Sequence, residues 1–134
     1  MRAATMSRVD LRIPSKPEFV AVARLTVSAI ASRMAFGFDA IDDIKVAVGE
    51  ACTNAIVHAC CGGEEEILIR CSLHPEQLVI EVHDKGPGLP PEEQWTEDVH
   101  LGLVLIRALM DEVKLESTPQ SGTCVRMVKY RQRA

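Results

Sequence analysis

Glu50-Ala51-Cys52-Thr53-Asn54-Ala55-Ile56-Val57-His58 sets an acid, an amide and an imidazole four residues apart. From Ile41 to Ala59 the chain reads as an amphipathic helix, with Ile41, Ile44, Val46, Val48, Ala51, Ala55 and Ile56 as apolar positions. Residues four apart share a helix face, so Glu50, Asn54 and His58 form one polar stripe. An interior Asn weakens a helix, because its amide competes for backbone hydrogen bonds. A bound ligand would compensate for that cost, whereas a solvated face would explain the stripe without any ligand.

On the N-terminal side of this helix, Val9, Leu11 and Ile13 alternate with polar residues and read as a strand ended by Pro14. Ser15 and Glu18 resemble a capping box for a helix from Lys16 to Ala35, stopped by Gly37. Asp39 is a candidate cap for the second helix, and Cys60-Cys61-Gly62-Gly63 reads as the turn beyond it. Ile67 to Ser72 and Leu78 to His83 read as strands joined across His74-Pro75-Glu76-Gln77. Pro87 to Asp98, with three prolines and four acids, reads as a loop. Leu101 to Met110 reads as a helix, then Val113 to Ser117 and Thr123 to Tyr130 as the last strands. Paired strands with grouped helices argue an α/β sandwich, its helices layered on one face of the sheet.

A chain of 134 residues has the size of one ordinary domain, so residues 1–134 are expected to fold as one. With 47% apolar residues it can build a core. A net charge of −4 with scattered Lys and Arg argues against a nucleic-acid surface. Neither a signal peptide nor a membrane span is expected. Five cysteines are an odd count, and Cys52, Cys60, Cys61 and Cys71 lie at spacings that suit no disulfide framework, so they read as free thiols of a reducing cytoplasm. The basic run Lys129-Tyr130-Arg131-Gln132-Arg133 reads as a frayed, solvated terminus.

Three further constellations follow the helix stripe. Asp84-Lys85-Gly86-Pro87-Gly88 ends a strand with an acid able to accept from an exocyclic amine, and its glycines let backbone approach a planar ligand. A plain turn has the same composition. Leu101-Gly102-Leu103-Val104 reads as a glycine at a helix entry, where free N–H groups favour phosphate; a tight helix contact is the alternative. Ser121-Gly122-Thr123 precedes the last strand and alone reads as a hairpin turn.

The order of these motifs resembles the GHKL ATPase superfamily and its Bergerat fold. Asn54 matches the N-box, Asp84 to Gly88 the first glycine box, Gly102 the second, and Gly122-Thr123 the last. Two longer segments, Lys45 to Ala59 and Leu101 to Val113, are similar to the bacterial anti-sigma factor serine kinases. The resemblance implies a mixed, mostly antiparallel sheet and a homodimer in the cytoplasm. It implies transfer of the γ-phosphoryl of ATP, with Mg²⁺, to a serine on a STAS-type anti-anti-sigma protein, and sequestration of a sigma factor. Carried over by residue, Glu50 is the general base, Asn54 the Mg²⁺ ligand and Asp84 the acceptor for the adenine amine. Gly86, Gly88 and Gly102 line the nucleotide path, and Thr123 lies near the adenine. His58 either approaches a phosphate or caps its helix, and the cap is the preferred reading.

Two features depart from the family pattern. Leu89 to His100 makes a short, acidic lid, and His100 stands where a second-box glycine is usual. A non-catalytic interaction module and a switch kinase acting on a stressosome-type scaffold are the alternatives of function. A zinc site from His58, Cys60, Cys61, Cys71 and His83 is disfavoured, since adjacent cysteines fit one tetrahedral ion poorly.

Overall fold

The computed structural model describes residues 7–59, 65–86 and 88–131, with the side chains of His58 and Ala59 left aside. Five strands form one sheet: β1 (Ser7–Pro14), β2 (Glu66–Leu73), β3 (Gln77–Asp84), β4 (Glu112–Thr118) and β5 (Gly122–Tyr130). Their order is β1-β2-β3-β5-β4 and every pairing is antiparallel, so the described sheet has no parallel component. The helices are α1 (Val20–Arg33), α2 (Phe38–Asn54) and α3 (Glu97–Leu109).

Strand alternation sends Ile13, Ile67, Ile69, Cys71, Leu78, Ile80, Val82, Val125 and Met127 to one face. There they meet Ala23, Val27 and Ile30 of α1, Ile44, Ala47 and Val48 of α2, and Val99, Leu103 and Ile106 of α3. The opposite face carries charged side chains. Arg70 bonds Asp10 through both of its carboxylate oxygens, at 3.0 and 3.3 Å, across the β1–β2 pair. This is the expected α/β sandwich, with its helices on one side.

Several local expectations are corrected. Ser15 does not cap: its N–H donates to Glu65 O at 3.0 Å, prolonging the β1–β2 pairing, and its buried hydroxyl finds no partner. The first helix opens instead on a short 3₁₀ turn, Pro17–Phe19, behind Lys16. It ends at Arg33, because Ala35 takes the left-handed conformation (φ 64°) and Phe36 N–H reaches back to Ala31 O at 3.1 Å. Gly37 therefore stops nothing; it is the N-cap of α2, and Asp39 sits in that helix's first turn without capping it. The predicted basic tail is partly strand, with Lys129 Nζ 3.3 Å from Asp43 and donating to Leu109 O.

The cysteine set behind a zinc reading also comes apart. Cys71 points into the core and His83 lies on the outer face, while Cys60 and Cys61 are outside the described residues. Among the described residues Cys52, Cys71 and Cys124 are free thiols. Burial pushes Cys52 and Cys71 up to about 12, and burial with Glu81 and Glu116 nearby pushes Cys124 up to about 11.

Candidate functional site

Helix α2 delivers Glu50 and Asn54 on one face, as the four-residue spacing requires. Immediately after Asn54 the helix widens into a π segment, Ala55–Ala59. Such widened turns cluster at functional positions, and composition gives no sign of one here. Among the described residues neither the Glu50 carboxylate nor the Asn54 amide has a hydrogen-bond partner, so both half-buried groups are available to a ligand.

Gly102 explains how they are held. It lies in the second turn of α3, since that helix starts at Glu97 and not at Leu101. The predicted free N–H groups at Gly102 are thus spent inside the helix. What Gly102 supplies is space. A Cβ there would sit 2.9 Å from Asn54 Nδ2 and 3.3 Å from Glu50 Oε2. The glycine lets α3 lie against α2 with both functional side chains converging over its backbone. The real start of α3 is Thr96, whose hydroxyl accepts from Val99 N–H at 3.4 Å, followed by Glu97 and Asp98. That acidic first turn suits the helix dipole and leaves the helix start ill-suited to phosphate. Thr96 followed by two acids is the sequence signal for this start.

Asp84 closes β3 with only 3% of its surface exposed, and Thr123 on the facing strand has 6%. Gly86 N–H donates to Asp84 Oδ1 at 2.9 Å. Burial raises the Asp84 carboxyl above its ordinary value, and the backbone N–H groups of Gly86 and Thr123 act against that rise. Gly122 is required at this join. Its φ is +81°, and a Cβ would fall 2.1 Å from Asp84 O. Gly88 likewise has φ +84°, and a Cβ would crowd Thr118 O at 2.9 Å.

Two residues of the site lie outside the sequence-based expectations. Ser117 Oγ accepts from Leu89 N–H at 2.7 Å and lies 2.8 Å from Thr123 Oγ1. It ties the root of the lid to the last strand, and no local pattern marks it. Trp95, the chain's one tryptophan, donates from Nε1 to Pro90 O at 2.8 Å. Its ring stacks at a tilt on His100, with centroids 5.2 Å apart, so the short lid is folded on itself. The predicted loop from Pro87 to Asp98 is in fact broken by a 3₁₀ turn, Glu92–Gln94, and its last two residues belong to α3.

Two spaces meet at Asn54. A narrow, largely apolar cavity is walled by Val82, Asp84, Leu89, Val99, Leu103 and Thr123, with Asn54 in its lining. It leaves about 20 Å³ for water centres, about one water molecule. An open cleft beyond it is lined by Glu50, Asn54, Asp98, Leu101 and Gly102. Asn54 is common to both. The structure brings Glu50, Asn54 and Gly102 together, and Asp84, Gly86 and Thr123 together. His58's side chain is outside the described residues.

Comparison with known proteins identifies the family and the fold. Residues 13–129 match the histidine kinase-like ATPase domain family. The chain is 40% identical to the serine-protein kinase RsbW of Bacillus pumilus, over 94% of this chain and 87% of that protein. It is 40% identical to RsbW of Listeria monocytogenes, over 95% and 90%, and 35% identical to RsbW of Bacillus subtilis, over 91% and 84%. A crystal structure of the RsbU and RsbW domains of a Mycobacterium tuberculosis protein superposes with a TM-score of 0.75 at 17% identity, covering 96% of this chain and 34% of that one. At that identity it bears on the fold alone. The histidine kinase domain of an Erythrobacter litoralis blue-light kinase gives 0.61 at 24% identity, over 87% of this chain and 61% of that one. By the family match and by similarity over most of the chain, this chain belongs to the RsbW serine-protein kinase family of histidine kinase-like ATPase domains.

Proposed function

We propose that this protein transfers the γ-phosphoryl of ATP to a serine of a STAS-type anti-anti-sigma protein, and that it sequesters a sigma factor. The observation that carries this reading is the position of Asn54, shared by the narrow cavity of Asp84 and Thr123 and the open cleft of Glu50. Adenine belongs in the first, with its amine against Asp84, and the acceptor hydroxyl in the second. The cavity is narrow, so a base enters when Leu89 and Val99 draw back with the lid.

Asn54 suits Mg²⁺, which takes hard oxygen ligands and keeps several waters; its side-chain oxygen has no competing partner among the described residues. When bound, the ion supplies charge neutralisation on the phosphates. The chain's own groups supply the rest, since phosphoryl transfer depends chiefly on positioning and electrostatics. Glu50 takes the proton from the attacking serine hydroxyl. Asp84 fixes the base, and the backbone at Gly86 and Gly88 shapes the path around it. The protein is further proposed to act as one domain over residues 1–134 and as a cytoplasmic homodimer. No described helix is long and apolar enough to cross a membrane.

The narrow cavity and the acidic start of α3 favour a second reading, a module that binds its partner without turnover. One experiment separates the two. Labelled ATP is mixed with the STAS-type partner and the wild type, Glu50→Gln or Asn54→Ala. Glu50→Gln should keep nucleotide binding and lose transfer by on the order of 10²–10⁴-fold. Asn54→Ala should lose Mg²⁺-supported binding and transfer together. Wild-type transfer by Glu50→Gln removes Glu50 as the base. A wild type that binds ATP and phosphorylates nothing establishes the second reading.

A further inference from the structure

On the sheet face away from the helices, β3 and β5 bring together Glu81, His83 and Cys124. Glu81 and His83 are two apart on β3 and so share that face, and Cys124 is the direct cross-strand partner of His83. His83 Nε2 lies 3.0 Å from Glu81 Oε1 and 3.7 Å from Cys124 Sγ. All three potential ligand atoms fall within 4.8 Å of one another. We propose that they form a binding site for a borderline-soft divalent cation, Zn²⁺ in the first instance, independent of the nucleotide site.

The geometry is close to what such an ion needs. With metal–sulfur near 2.3 Å and metal–nitrogen near 2.0 Å, tetrahedral angles put S and N about 3.5 Å apart and N and O about 3.4 Å apart. The two separations from His83 Nε2, 3.0 and 3.7 Å, differ from these by a few tenths of an ångström, and the sulfur and oxygen lie within 4.8 Å of each other, within side-chain adjustment. The donor set of one thiolate, one imidazole and one carboxylate is of the type zinc takes, and a fourth position is left to solvent. All three residues are half-buried on a sheet, so their backbones are held in register before any ion arrives. His83 also borders an open groove with Arg12, Leu68 and Arg70, which gives an ion a route in. Arg126 approaches the other Glu81 oxygen at 3.9 Å and leaves Oε1 to the site. This site shares only His83 with the zinc set considered from sequence, which drew on the helix end and the core.

His83 and Cys124 directly adjoin Asp84 and Thr123 in sequence, but their side chains point to opposite sheet faces. A bound ion thus bridges β3 and β5 directly behind the adenine-side cavity and raises the stability of that pairing by mass action.

The test uses the untagged full-length chain, with Co²⁺ as a spectroscopic probe and Zn²⁺ as competitor. The wild type should bind one ion per chain, with tetrahedral visible bands and a thiolate-to-metal charge-transfer band. Its thermal midpoint should rise with added Zn²⁺. Cys124→Ser should lose the charge-transfer band and the thermal response, with affinity down at least about tenfold. His83→Gln, at a half-exposed position, provides a second variant if the first does not fold. A Cys60→Ser, Cys61→Ser double variant should keep the full signal. Absence of stoichiometric binding, a charge-transfer band that survives Cys124→Ser, or its loss in the Cys60/Cys61 variant overturns the proposal. None of these outcomes depends on kinase activity.

Discussion

Replacing Gly102 by alanine should separate stability from catalysis. The new methyl would sit 2.9 Å from Asn54 Nδ2, 3.3 Å from Glu50 Oε2 and 3.4 Å from Asn54 Oδ1, against 3.4–4 Å for ordinary contact. All three are ends of flexible, half-buried side chains, so they can rotate aside without moving α2. Removing a helix-interior glycine is itself worth about 0.5–1 kcal/mol in favour of the folded state. The two effects nearly cancel or leave a small gain, so the urea midpoint should stay level or rise slightly. Catalysis has no such compensation. The Asn54 amide must move by about half an ångström and the Glu50 carboxylate by less, and a displacement of about 1 Å can cost about 100-fold. Phosphoryl transfer should therefore fall by roughly tenfold or more, and Mg²⁺-supported nucleotide binding should weaken in calorimetry. A loss of about 2 kcal/mol or more in stability would show that Gly102 packs against rigid backbone instead. Unchanged transfer in a folded variant would show that Asn54 and Glu50 are not the machinery.

Gly122→Ala should be costly, because it adds left-handed strain at φ +81° to a Cβ only 2.1 Å from Asp84 O. A loss of about 3 kcal/mol is expected from strain and overpacking combined, and a urea midpoint like that of the wild type would contradict it. For Asp84, burial raises the folded pKa above its ordinary 3.8. The folded carboxyl then keeps its proton over an interval above 3.8 where the unfolded chain has lost it, so this residue's contribution to stability declines as pH rises through that interval. Nucleotide affinity runs the other way and should drop on acidification within the same interval, while Asp84→Asn should lose about 1–3 kcal/mol of binding and that acid limb together. Calorimetry across pH checks this, and a variant binding as tightly as the wild type would remove Asp84 as the adenine acceptor.

Periodicity and punctuation are enough to read the strands and most helices. Alternation marks Val9 to Ile13, and the apolar runs on either side of His74-Pro75-Glu76-Gln77 mark Ile67 to Ser72 and Leu78 to His83. The four-residue spacing of Glu50 and Asn54 places them on one helix face from helix geometry alone. These signals are local, so a linear sequence can carry them. Some local signals mislead. Ser15 has the composition of a cap but is drawn into sheet pairing with Glu65, and Thr96, the true start of α3, follows a proline-rich stretch that reads as loop. Other features depend on what distant segments bring into contact. Gly102 serves as space for Asn54 and Glu50, Ser117 joins Leu89 to Thr123, and Cys124 meets His83 only when α3 lies on α2 and β5 inserts between β3 and β4. Residue type and spacing along the chain thus specify which groups carry chemistry and which elements bear them. Which of those groups meet is left to the packed fold, because contact between remote elements is set by packing and strand register rather than by separation in sequence.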